Sequence, residues 1–173
     1  NGQTGNKISL QRFVLSVLLD DVLIQASQRL VKMSKGRYQL VRKEDRAKGN
    51  KASGLELEVE DGYTGKTRSV ATLSGGESFL AALSLALGLS DVVQSYAGGI
   101  KLDTLFIDEG FGSLDPESLH LAITTLIDLQ SGGRTIGIIS HVSELKEQMA
   151  LRVDVISGRT GSRIGISGVS FLG

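Results

Sequence analysis

Over residues 8–33 apolar side chains return at helical spacing: Leu10, Phe13, Val14, Val17, Leu18, Val22, Leu30 and Val31 form a broad stripe, and Gly36 stands where a helix would stop. The pattern predicts a long amphipathic helix. The period then shortens. Residues 37–43 and 55–60 alternate as half-buried strands do, with Leu55, Leu57 and Val59 on one side and Glu56, Glu58 and Glu60 on the other. A turn over 61–65 leads to a further hairpin arm over 66–70.

The character changes at Leu73. Residues 79–93 are apolar almost all round and rich in Ala and Leu, the pattern of a helix buried on most sides. Short apolar runs at 105–107, 136–139 and, less cleanly, 153–156 suit parallel strands covered on both faces. Between the first two runs, Asp115 and Pro116 occupy the cap and first-turn positions of a helix. Leu119, Ile123, Leu126 and Ile127 give that helix one core face, and Gly132 with Gly133 ends it. Hairpin, helix, strand, helix, strand, short helix and strand make an α/β lobe with an antiparallel piece in front, without repeats.

At 40% hydrophobic and 22% charged, the 173 residues can build one ordinary core. With 19 basic and 19 acidic residues the net charge is zero, so an argument for a nucleic-acid partner has to be local. The absence of cysteine excludes disulfides, thiol nucleophiles and cysteine-ligated metals. Asp20, Asp21 and Asp91 interrupt the most apolar stretches, which argues against a membrane span. The start at Asn1, without a leader or cleavage pattern, reads as a piece of something longer.

Gly65, Lys66 and Thr67 look like the end of a phosphate-binding P-loop, but the glycine required five residues earlier is Glu60, and no helix follows. They read as a turn. Four other elements carry the signal: LSGGE at 73–77, LFIDEG at 105–110, SLD at 113–115 and ISH at 139–141. Each alone is weak: LSGGE could begin any helix, and a histidine after a strand is usually a hydrogen-bonded loop residue. In this order and spacing they resemble the signature motif, Walker B strand, D-loop and H-loop of ABC-type ATPases.

The resemblance fits the chemistry, because phosphoryl transfer asks a protein to position a water and to place dipoles and a metal around developing charge. Asp108, after a buried strand, is the candidate ligand for Mg²⁺. Glu109 is the candidate general base, and His141 is implied to contact the γ-phosphate of ATP. Ser74, Gly75 and Gly76 precede a helix expected to begin at Glu77, so their amides would form an anion site. The ATP-binding set is Ser74, Gly75, Gly76, Glu77 and Asp115. The family places Asp115 where two heads meet, while the local sequence makes it a helix cap. Asp108, Glu109, Ser140 and His141 all follow strand ends, where open α/β sheets place ligands, and are expected to converge.

No P-loop and no adenine-binding segment precede the signature motif. DEGFGSLD at 108–115, the terminal Glu77 and the continuation SFLAALSLALGLSD at 78–91 resemble the SbcC family, the SMC-like ATPases that work with the SbcD nuclease on DNA ends. The likeness runs from Ile8 to about Arg152 and is weakest after Arg159. It implies the C-terminal lobe of an ABC-type head over residues 37–173 and a coiled-coil root helix over 1–36. It also implies a cytoplasmic ATPase whose partners are its own N-terminal lobe, a second head, an SbcD-like nuclease and DNA. The root helix could dock the nuclease or pack on the missing lobe. Seven basic residues between Lys35 and Lys51 could touch DNA or form a solvated loop. Another SMC or RecN-like head, and more remotely the nucleotide-binding component of a transporter, are the alternative readings.

Overall fold

A computed structural model describes residues 10–43, 56–96, 98 and 102–168. The basic segment at 44–51 and Leu55 lie outside the described residues, as do the side chains of Leu10 and Phe13. The long helix α1 (Leu10–Met33) ends as its pattern requires, with the Gly36 N–H donating to the Val31 carbonyl at 2.7 Å. Strands β1 (Tyr38–Arg42), β2 (Leu57–Asp61) and β3 (Lys66–Ser69) form an antiparallel meander in the order β1-β2-β3. Lys66 and Thr67 lie in β3 and Gly65 in the turn before it, so the short phosphate-loop look-alike is a hairpin. Within β2, Val59 and Asp61 are both buried; a carboxylate shares the core face and is paired there with Arg37.

Helix α2 (Gly75–Tyr96) packs along α1, with Leu80, Leu83 and Leu87 meeting Leu23, Ala26 and Leu30 in one core that continues under the meander through Tyr38, Leu40 and Val59. Burying each of these large side chains stabilises the fold by about 1.5–3 kcal/mol. By length and composition α2 could cross a bilayer, unlike the sequence expectation, but its inner face is core. Its outer face is not covered as expected: Leu89, Val93 and Tyr96 are exposed and, with Leu15, Leu18 and Leu19 of α1, line an apolar groove of about 650 Å³.

Strands β4 (Thr104–Asp108) and β5 (Thr135–Ile139) are joined by helix α3 (Pro116–Ser131) and pair in parallel, Asp108 opposite Ile139. The apolar runs predict cover on both faces. Instead Ile107 is buried against α3 and α2 while Phe106 is 71% exposed and Ile139 is exposed on the other side. The run at 153–156 also departs from expectation. After the short helix α4 (Ser143–Gln148), strands β6 (Arg152–Gly158) and β7 (Gly161–Ser167) pair antiparallel with each other, apart from the parallel sheet. A tight turn at Arg159–Thr160 makes that local pairing available to β6 at once.

Candidate ATP-binding and catalytic site

Parallel register carries the two strand ends out side by side. The Glu109 N–H donates to the Ile139 carbonyl at 2.9 Å, extending the ladder by one residue, and the chain then turns sharply. Glu109 has φ +59, a left-handed conformation that an L-residue with a long side chain adopts at a cost of about 1–2 kcal/mol. Such strain concentrates at functional sites. Here it aims the Glu109 carboxylate at His141, whose Nδ1 stands 2.9 Å from Oε2. His141 is 81% and Glu109 49% exposed, so the pair faces open space.

Asp108 lies exposed at the end of β4, and its carboxylate makes no hydrogen bond or ion pair among the described residues. No group of three or more metal-ligating side chains exists among them either. A lone free carboxylate fits Mg²⁺, which takes one or two carboxylates and completes its shell with water and phosphate oxygens. The Ser140 hydroxyl accepts the Val142 N–H at 3.2 Å and shapes the turn that presents His141. Glu109 and His141 thus meet as expected, at adjoining strand ends where Asp108 and Ser140 are their chain neighbours.

The signature segment is built differently from the expectation. Helix α2 begins at Gly75, two residues before Glu77, because Ser74 and Glu77 cap it reciprocally: the Glu77 N–H donates to Ser74 Oγ at 3.3 Å and the Ser74 N–H to Glu77 Oε2 at 2.8 Å. Gly75 and Gly76 therefore lie in the first helical turn, with their N–H groups directed off the helix end. Gly76 has a local reason to be glycine, since a Cβ there would come within 2.6 Å of the Ser113 carbonyl oxygen. The absent side chain lets the signature turn rest on the D-loop.

That D-loop is a tight turn over Phe111–Ser113, closed by the Ser113 hydroxyl donating to the Gly110 carbonyl at 2.8 Å. Phe111 is wholly buried and meets Phe79 edge to face at 4.9 Å. Next to it, Gly110 has φ +96, and a Cβ would fall 2.2 Å from the Phe79 ring. A Cβ at Gly112 would come within 4.0 Å of His141 Nε2, so the same turn backs the histidine.

Asp115 caps α3, accepting the N–H groups of Glu117 at 3.1 Å and Ser118 at 3.0 Å and the Ser118 hydroxyl. The Ser118 hydrogen bonds hold its carboxyl below the usual range, with Lys35 assisting. Lys35, Arg37, Arg42 and Lys43 each have a carboxylate partner, in Glu117, Asp61, Asp20 and Glu56 respectively, so this part of the basic segment carries little unpaired charge.

Sequence reasoning missed the residues that clasp Glu77. The Tyr38 hydroxyl donates to Glu77 Oε1 at 2.6 Å, Arg37 stands 3.5 Å from the same oxygen, and Arg68 donates to the Tyr38 hydroxyl at 3.1 Å. Burial works to raise the Glu77 carboxyl, but hydrogen bonds from Tyr38 and Ser74 and the Arg37 charge outweigh it and bring it below the ordinary value. Tyr38 and Glu77 are 39 positions apart, and no local spacing announces their contact.

The chain is similar to known proteins over most of its length. The family model described as SbcC/RAD50-like, Walker B motif, matches residues 50–128. The SbcC component of the nuclease SbcCD from Vibrio cholerae serotype O1 is 78% identical over 164 residues, covering 95% of this chain and 16% of that protein. The protein of the same name from Staphylococcus epidermidis is 52% identical over 158 residues, covering 91% of this chain and 16% of that protein. The chain therefore spans about a sixth of the length of these relatives. Among solved structures, a chain from a study of ATP-driven dimerization and DNA-stimulated activation of SMC ATPases superposes with a TM-score of 0.66 at 17% identity, covering 89% of this chain and 88% of that one. The Smc head domain of Pyrococcus furiosus bound to the C-terminal domain of ScpA gives a TM-score of 0.62 at 17% identity, covering 86% of this chain and 35% of that one. The lobe thus has the fold of an SMC-type ATPase head, and, with SbcC proteins matching nearly its whole length, the chain belongs to the SbcC family.

Proposed function

We propose that this chain is the C-terminal lobe of an SbcC-type ATPase head, in which ATP bound between two heads clamps them together and hydrolysis releases them to regulate DNA-end processing. The observation that carries the reading is the Glu109–His141 pair at adjacent parallel strand ends, beside the free Asp108 carboxylate, in a sequence without a P-loop pattern. The N-terminal lobe of the same protein supplies the P-loop and covers the open face of β4 and β5. The other partners are a second head, an SbcD-like nuclease and DNA.

Asp108 would hold Mg²⁺, which when bound would supply positive charge against the phosphates of ATP. Glu109 takes the proton of the attacking water, and its turned backbone and His141 fix where that carboxylate points. His141 stands beside Glu109 at the end of β5, where the γ-phosphate would approach the pair. On the opposite head, the signature turn offers the Gly75 and Gly76 N–H groups, the positive end of α2 and the Ser74 hydroxyl. The capping geometry favours this, because Ser74 Oγ accepts from Glu77 N–H and keeps its own proton to donate outward. Glu77 and Asp115 position backbone.

The test uses the complete protein carrying Glu109→Gln, which is expected to retain ATP binding while turning it over about 10²-fold more slowly. Light scattering should show heads pairing when ATP is added, and Ser74→Arg should abolish pairing while single-head ATP binding persists. Heads that pair with ATP despite Ser74→Arg would refute the role of the signature turn across the interface.

A further inference from the structure

Glu77 is held from two sides. One carboxylate oxygen closes the reciprocal cap with Ser74, and the other accepts from Tyr38, a residue of the antiparallel meander. Tyr38 is 3% exposed, and two guanidinium groups lie within cation–π distance of its ring, Arg37 at 4.6 Å and Arg68 at 5.4 Å from the centroid. Arg37 is anchored in turn by buried Asp61 of β2, and Arg68 by the Thr72 carbonyl at 2.8 Å, just before the signature motif. Side chains from all three strands of the meander therefore back a single carboxylate whose other oxygen fixes the Ser74 backbone.

From this convergence we propose that Tyr38, backed by Arg37 and Arg68, is a positioning residue for the signature turn: it sets the Glu77 carboxylate, and through it the direction of the Ser74 N–H and hydroxyl. The inference rests on the signature turn meeting ATP on another head. A side chain that merely filled the core would need only the ring. The hydroxyl sits within hydrogen-bond distance of both Glu77 and Arg68, which makes it a relay between the meander and the helix cap. The bond to Glu77 is charge-assisted and partly buried, so its orienting power exceeds that of an exposed contact. Freed of it, Glu77 can rotate toward Arg37, and the cap loses the partner that sets its angle.

Tyr38→Phe keeps the ring, its packing and both cation–π contacts and removes only the hydroxyl. In the complete protein carrying Glu109→Gln, the ATP concentration that half-saturates head pairing should rise about three- to ten-fold, the scale of one ordinary hydrogen bond and less than a direct bond to a charged group, because the loss reaches the interface only through the cap. ATP affinity of the unpaired head should stay within about two-fold, a difference of ~0.4 kcal/mol. Glu77→Gln should shift pairing in the same direction, and the double variant should shift it no further than the larger single change. Pairing unchanged in Tyr38→Phe, or effects of Tyr38→Phe and Glu77→Gln that multiply, would overturn the proposal. Ser74→Arg in parallel separates the two readings. If it abolishes pairing while Tyr38→Phe does nothing, only the positioning role fails; if neither acts, the interface reading fails with it.

Discussion

Replacing Gly110 with alanine tests whether the turn after Glu109 is as tight as its contacts indicate. The backbone there has φ +96, and the new Cβ would lie 2.2 and 2.3 Å from two ring atoms of Phe79. A left-handed conformation costs an L-residue about 1–2 kcal/mol. Relieving the overlap requires Phe79 to move off Phe111, which is wholly buried, and overpacking of this kind costs about 1–3 kcal/mol. A total of about 3 kcal/mol corresponds to a fall in Tm of roughly 6–12 °C for a cooperative unit of 150–250 residues. Thermal unfolding of the complete protein, followed by circular dichroism, measures it. Phe79→Leu makes room for the methyl, so the double variant should recover about half of the alanine penalty, leaving the backbone strain. Gly110→Ala melting with the parent, or strict additivity of the two changes, would refute the assigned contact.

Glu109→Gln should lower ATP turnover by about 10²-fold or more with nucleotide binding retained, the usual size of a general-base contribution, whereas Asp108→Asn should weaken binding only when Mg²⁺ is present; turnover and nucleotide titrations with and without EDTA distinguish them. The Glu77 carboxyl is held below its unfolded value, so its stabilising contribution is fully present above about pH 4.3, the ordinary glutamate pKa, and is lost as pH falls through the lower folded value. The Tm gap between the parent and Glu77→Gln should accordingly be widest near neutrality and close in acid; a gap independent of pH would remove ionised Glu77 from the cap.

The placement of the candidate site was legible where it depended on adjacency. Asp108 with Glu109, and Ser140 with His141, each follow an apolar run, and parallel pairing of two such runs with a helix between them brings their ends together. Asp115 was legible for the same reason, since a cap acts on N–H groups two and three residues ahead. The start of α2 was misjudged although its signal was local: Ser74 and Glu77 have capping-box spacing, and the helix forms around the glycines because that box satisfies its first donors. The clasp of Tyr38, Arg37 and Arg68 on Glu77 was not legible, because it depends on how the meander packs against α2. Nor was the steric reason for Gly76, which requires the D-loop to lie beneath it.

The runs at 105–107 and 136–139 raise a different point. Their unbroken apolar character called for cover on both faces, yet Phe106 and Ile139 stand exposed on the face away from α3. Phe106 also lies over Gly137 on the neighbouring strand, where a Cβ would come within 2.4 Å of its ring, so the ring rests on that glycine while most of the residue stays exposed. Hydrophobic periodicity records burial in the finished assembly, whereas accessibility is measured on this chain alone. The excess of predicted over observed burial falls on one face of β4 and β5, on the outer surface of α1 and α2, where Leu15, Leu89 and Val93 are exposed together, and on β6, where Val153, Val155 and Ile156 are exposed. Misreading strand for helix would scatter such an excess along the chain. Gathered on whole faces, it matches the proposal that a second lobe completes the sheet, and that the lobe carrying the P-loop is the one that covers Phe106.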